Sequence, residues 1–174
     1  NIASSVLVLF FCYFVVNFLY TYFLKKIVIL DLLCLTAFYL FRIFIGGESA
    51  GVPISFWLLF FSSLLFFSLS ALKRVAELQM NKANRLNLTS RGYGESDQNY
   101  LSSVGMIAGF PAVTVLGLYI NDNSTTVLYK SPELLWITIP IVIYIVSKLW
   151  LDTSRGKMHY DPVTYLMYKK EFVA

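Results

Sequence analysis

The sequence predicts an all-α, polytopic transmembrane helical bundle, and three observations carry that prediction. Of the 174 residues, 57% are hydrophobic and only 14% are charged, whereas a soluble domain needs roughly 25% charged residues to cover its surface. The apolar residues fall into runs of about 20, the length that crosses a hydrocarbon core of about 30 Å as a helix. Basic residues gather in alternate connections between those runs, the pattern that sets orientation in a bilayer. A mean hydropathy of +0.66 fits a chain whose main solvent is lipid.

Each span follows from the residues in order. The run 2–24 carries no charge, and Lys25-Lys26 interrupts it. A second run, 27–45, ends at Gly46-Gly47, and a third covers 52–72 with Pro53 in its first turn, where a missing N–H is tolerated. A long polar segment, 73–99, separates these from a fourth run at 100–120 and a fifth at 134–151. The tail 152–171 is polar again, and Phe172-Val173-Ala174 has the character of another helix beginning. The chain opens at Asn1 on an apolar run with no basic leader or small-residue cleavage site, so it reads as part of a longer protein and not as a signal peptide.

Lys25 and Lys26 lie in the first connection. Lys73, Arg74, Lys82, Arg85 and Arg91 lie in the third, and Arg155, Lys157, Lys169 and Lys170 in the last. The connections between them hold only Lys130, which predicts that the first, third and last are cytoplasmic. The sequons at Asn87 and Asn123 then fall on opposite sides of the membrane, which speaks for chance. Cys12 and Cys34 sit within apolar runs and read as small buried hydrophobes. Gly105-Met106-Ile107-Ala108-Gly109 is a small-xxx-small pattern suited to close helix approach, and Pro111 and Pro140 are expected to kink their spans.

Chemistry is sought first where a charge interrupts a span, because a charge there is expensive. Asp31 and Arg42 both lie in the second run, on nearly the same helix face, and both are expected to look into the bundle. They are about 16 Å apart along the axis and so do not pair. Asp31 stands near the cytoplasmic end, within reach of a cation or a loop. For Arg42, near the outer end, snorkelling is a sufficient explanation. If the third helix continues past Leu72, Lys73 and Glu77 share a face, with Arg74 beside Glu77. That pattern fits an ordinary charged helix end. It also fits an anion site in which Lys73 and Arg74 grip phosphate oxygens and Glu77 holds a divalent cation. Arg91-Gly92-Tyr93 adds a guanidinium, a flexible joint and an aromatic. Asp161-Pro162 reads as a helix cap with a first-turn proline. His159 is the single histidine, which excludes a histidine metal cluster, and no P-loop, G-x-S-x-G or CxxC occurs. Nothing in the pattern points to nucleic acid.

The run from Tyr22 through Lys25-Lys26 to Asp31, and Phe41-Arg42-Ile43 before Gly46-Gly47, resemble the helix-four to helix-five region of the UbiA-type intramembrane prenyltransferase superfamily. Ala50-Gly51-Val52-Pro53-Ile54-Ser55-Phe56-Trp57, Lys73-Arg74-Val75-Ala76-Glu77-Leu78, Arg91-Gly92-Tyr93 and Asp161-Pro162-Val163 resemble one branch of it, the decaprenyl-phosphate phosphoribosyltransferases. The resemblance runs along nearly the whole chain and rests on the order and spacing of these segments. It implies a UbiA-like bundle of which about five of nine helices, four to eight, are present, and whose two active-site loops face the cytoplasm of a prokaryotic cell. It implies transfer of a 5-phosphoribosyl group from phosphoribosyl pyrophosphate to a polyprenyl phosphate, with Mg2+ as cofactor and a cell-wall arabinose precursor as product. By motif match, Glu77, Lys73 and Arg74 belong to the second active-site loop, with Glu77 the possible magnesium ligand. Lys25, Lys26, Asp31, Arg91 and Tyr93 are its candidates for binding substrate. The first Asp-rich motif of the family, N-D-x-x-D, is absent, so this stretch by itself is expected to be inactive. An ordinary prenyltransferase with an aromatic acceptor stays open, although the polar segment lacks the usual paired aspartates. So does a transporter or other non-catalytic membrane protein.

Overall fold

The computed structural model describes residues 2–83, 91–122, 129, 131–158, 162 and 164–165. Among these there is no strand, and there are five helices: α1 (Ile2–Tyr22), α2 (Leu30–Ala50), α3 (Phe56–Ala83), α4 (Gln98–Ile120) and α5 (Thr138–Ser154). A 3-10 stretch, Pro132–Ile137, leads directly into α5. Four helical segments are long and apolar enough to cross a membrane: Leu30–Ala50, Phe56–Lys82, Glu95–Ile120 and Glu133–Ser154. The apolar part of α1 with described side chains, Val6–Tyr22, is shorter than these. The chain is therefore a helical membrane protein, as its composition predicts.

Several boundaries fall elsewhere than the apolar runs suggest. The second helix does not stop at Gly46-Gly47 but runs to Ala50, where Gly51 at φ 65° supplies the left-handed cap. Pro53 lies in the segment before α3 and not in its first turn. The third helix continues well past Leu72 to Ala83, so the first part of the expected loop 73–99 is helix. Pro111 lies within α4, whereas Pro140 occupies the first turn of α5 and not a mid-span position. Both sequons, Arg85, His159, Asp161, Val163, Lys169, Lys170 and the final apolar residues lie outside the described residues.

Packing explains the arrangement. The α1–α2 pair meets through aromatic edges: Tyr13 stands 5.6 Å from Phe38 and 6.2 Å from Phe41, and Tyr20 stands 5.3 Å from Phe38. The α3–α4 pair packs tightly because Gly105 and Gly109 expose the α4 backbone. A Cβ at Gly105 would lie 2.9 Å from the Ala71 Cβ and overlap the Trp150 ring, and one at Gly109 would lie 2.7 Å from Ser68 Oγ. The small-xxx-small pattern thus accommodates both α3 and the indole of α5, whose Nε1 donates to Ser68 Oγ at 3.1 Å. Leu72, Val75, Leu101, Leu149, Trp150 and Met158 form the core, toward the end of the bundle where Tyr93 also packs. Elsewhere the helices turn Leu7, Phe11, Phe14, Phe56 and Ile107 outward, exposed, as lipid-facing surfaces require. Cys12 lies on such a surface and Cys34 is buried.

Candidate functional site

The α1–α2 connection, the α3–α4 connection and the residues after α5 meet at one end of the bundle. Gly92 lies against the Lys26 carbonyl, the Ile29 amide donates to the Tyr93 hydroxyl at 2.8 Å, and Met158 packs into the same core. Among the sequence-predicted residues, Asp31, Arg74, Glu77, Arg91 and Tyr93 are brought together here. Lys25 is half-buried and Lys26 exposed on the adjoining 3-10 turn, Leu24–Lys26.

Arg74 is the centre. It is only 2% exposed, on the face of α3 that turns toward α1 and α2. Its Nε and Nη2 hold the two carboxylate oxygens of Asp31, the Nη2 distance being 3.1 Å. Nη2 also reaches Tyr20 Oη at 3.2 Å, and Nη1 donates to Glu77 Oε2 at 2.6 Å. Tyr20 in turn donates to Asp31 Oδ1 at 2.8 Å. Asp31, fully buried, stands in the first turn of α2, where the helix dipole favours an anion. Arg91 completes the chain by donating Nη1 to Glu77 Oε1 and Oε2 at 3.1 and 2.8 Å. Burial pushes the Tyr93 phenol above its ordinary pKa, and its oxygen accepts the Ile29 N–H.

These contacts bear on the roles expected from sequence. Arg74 turns its Nε, Nη1 and Nη2 to Asp31, Glu77 and Tyr20. Glu77 is on the predicted face with Arg74, but both of its oxygens accept from guanidinium groups, which is a poor environment for a divalent cation. Asp31 is gripped by Arg74 through both oxygens. Among the described residues no group of three or more His, Cys, Asp and Glu side chains is placed to hold a metal. Asp31 and Glu77 are both engaged by guanidinium groups, and no step is assigned through magnesium. Arg42 does not look into the bundle. It is exposed near the middle of α2 and lies 5.5 Å over the Tyr39 ring, which stacks on Phe66 at 4.3 Å. A cation–π contact on the outer face of α2 replaces the inward-facing position expected from helix periodicity.

Two contributors were missed. Tyr20 lies in a charge-free run and looks like any lipid-facing aromatic. Asp152, at the edge of the polar tail in the sequence, is buried in the last turn of α5, 3.7 Å from Lys148 Nζ and 3.1 Å from the Tyr165 hydroxyl. The i,i+4 spacing of Lys148 and Asp152 was the available signal.

The Glu77 geometry makes a prediction. Glu77→Gln removes the charge shared by Arg74 and Arg91 and should lower stability by about 1–2 kcal/mol. Mn2+ binding by the full-length protein, followed by the EPR signal of the free ion, should not change. A variant with unaltered thermal midpoint and weakened Mn2+ binding would return Glu77 to the role of metal ligand.

No protein-family model matches the chain, and no solved structure matches it. Two curated proteins are similar to it. The nodulation protein NoeC of Azorhizobium caulinodans is 31% identical over 141 residues, covering 79% of this chain and 45% of that protein. The uncharacterized protein y4nM of Sinorhizobium fredii is 27% identical over 160 residues, covering 91% of this chain and 31% of that protein. The chain spans less than half the length of either relative.

Proposed function

We propose that this chain belongs to a membrane-bound transferase that moves a 5-phosphoribosyl group from phosphoribosyl pyrophosphate to a polyprenyl phosphate, with the Lys26–Arg91 end of the bundle facing the cytoplasm. The observation that carries the reading is the meeting of the first and third connections. It sets Lys25, Lys26 and Arg91 around one end of an apolar bundle, where a water-soluble anion and the phosphate of a lipid can both arrive. Three of the segments that carry the resemblance, around Lys25-Lys26, Lys73–Leu78 and Arg91-Gly92-Tyr93, contribute to this same end although far apart in sequence, which supports a shared purpose. The distribution of basic residues supports the orientation.

In the reaction the bond between the ribose anomeric carbon and the pyrophosphate oxygen breaks, and pyrophosphate leaves with the electron pair. A phosphate oxygen of the lipid forms the new bond to that carbon. Reactants and products are all anions, so the protein's task is to position them and neutralise phosphate charge. Lys25, Lys26 and the outer edge of Arg91 serve that task. Asp31, Arg74, Glu77 and Tyr20 serve it indirectly, by holding the helices that carry them. The apolar outer faces suit a polyprenyl tail lying in the bilayer.

The test uses the full-length protein in membranes with magnesium, radiolabelled phosphoribosyl pyrophosphate and a polyprenyl phosphate. Label entering the lipid fraction, and reduced at least tenfold by Lys26→Gln, is the expected result. Consumption of a prenyl diphosphate with an aromatic acceptor, with no label transferred, would replace this reaction by ordinary prenyl transfer. Neither activity would leave a non-catalytic membrane protein.

A further inference from the structure

We propose that Tyr93 is a positioning residue, latching the α1–α2 connection in a strained backbone conformation and so setting the place of Lys25 and Lys26. Ile29 has φ 68° and ψ −43°, the only positive φ at a non-glycine among the described residues. The Leu30 amide donates to the Val28 carbonyl at 2.8 Å, closing a γ-turn around Ile29. A γ-turn with positive φ is the strained form, and a β-branched residue is the least suited to it. Such a conformation persists only when its surroundings over-determine it.

The surroundings do so from both sides. The Ile29 N–H donates to the Tyr93 hydroxyl at 2.8 Å, and the Tyr93 ring is 3% exposed, held in the core. Next to it, Gly92 seats on the backbone of the same connection: a Cβ there would be 2.6 Å from the Lys26 carbonyl oxygen and 3.4 Å from Val28 Cγ2. Two residues past Ile29, Asp31 is fixed by Arg74. Lys25 and Lys26 ride on the 3-10 turn between α1 and this anchored stretch. Arg91, Gly92 and Tyr93 thus act on three neighbouring points: Glu77, the Lys26 carbonyl and the Ile29 amide. The role given to the lysines rests on the proposed phosphoryl-binding reading; the latch itself does not.

The test compares the full-length protein with its Tyr93→Phe, Ile29→Gly and doubly substituted forms, using hydrogen exchange of residues 24–30 and the affinity for inorganic pyrophosphate. Tyr93→Phe removes one hydroxyl and should speed exchange at the Ile29 amide about fivefold, the worth of one net hydrogen bond. Exchange in α4 should be unchanged. Pyrophosphate affinity should fall by a similar factor, and Ile29→Gly should restore most of it, because glycine adopts the turn without strain. Unchanged exchange in Tyr93→Phe would overturn the latch. Faster exchange with unchanged affinity, or no rescue by Ile29→Gly, would overturn the positioning role. A parent protein that binds no pyrophosphate would remove the phosphoryl reading and the lysines' role with it, while exchange would still decide the latch.

Discussion

Replacing Arg74 by lysine is expected to lower the free energy of unfolding by about 3 kcal/mol, although the charge is retained. The guanidinium serves three partners in different directions: Asp31 through two nitrogens, Tyr20 through one of these, and Glu77 through the third. An ammonium is a point charge with one nitrogen and cannot reproduce that fork. Asp31 would then remain fully buried with incomplete compensation, the situation in which a broken buried pair costs most. Alanine at the same position should cost more, about 3–5 kcal/mol. Unfolding of the purified protein in mixed micelles, followed by circular dichroism, reads either loss. Lysine tolerated without loss of stability would mean that Arg74 acts as a simple positive charge toward a ligand.

The second large effect is expected at Gly105. Even alanine there places a Cβ inside the Trp150 ring and 2.9 Å from the Ala71 Cβ. Neither neighbour is free to give: Trp150 is buried and its Nε1 is held by Ser68, and Ala71 is on the backbone of the facing helix. Overpacking of this kind costs about 1–3 kcal/mol, and leucine should prevent the α3–α4–α5 core from forming. Relief should come from Trp150→Leu in the Gly105→Ala background, which vacates the overlapped space. Thermal midpoints of the single and double variants measure both statements. A Gly105→Ala protein as stable as the parent would show that α3 and α4 do not approach as described.

Much of the architecture was legible because membrane helices advertise themselves. Length and lack of charge set the spans, and alternation of lysine and arginine set which connections share an end. Arg74 beside Glu77 was legible from i,i+3 spacing, once α3 was allowed to continue past Leu72. The boundaries at Gly46-Gly47 and Pro53 were not, because glycine in an apolar helix is tolerated by tertiary packing and proline before a helix looks like proline at its start. Periodicity correctly placed Asp31 inside but put Arg42 there too; a helix face is buried only where a neighbour covers it, and Arg42, exposed near the middle of α2, lies over the Tyr39 ring instead. What no pattern could supply was pairing across the fold. Asp31 and Arg74 are 43 residues apart, and nothing in either segment names the other. Nor did Ile29 announce its turn, since a β-branched residue is the opposite of the usual signal for positive φ. Nor could either segment show that Arg74 and Glu77 have partners inside the bundle.

A double-mutant cycle on Asp31 and Arg74 most directly tests whether the basic end of the bundle is built on an internal guanidinium lock. Asp31→Asn, Arg74→Gln and the double variant would be unfolded in mixed micelles under identical conditions. The geometry predicts large single losses and a double loss well below their sum, with a coupling energy of about 2–3 kcal/mol. Additive losses, with coupling near zero, would contradict it and return Arg74 to the ligand-facing role.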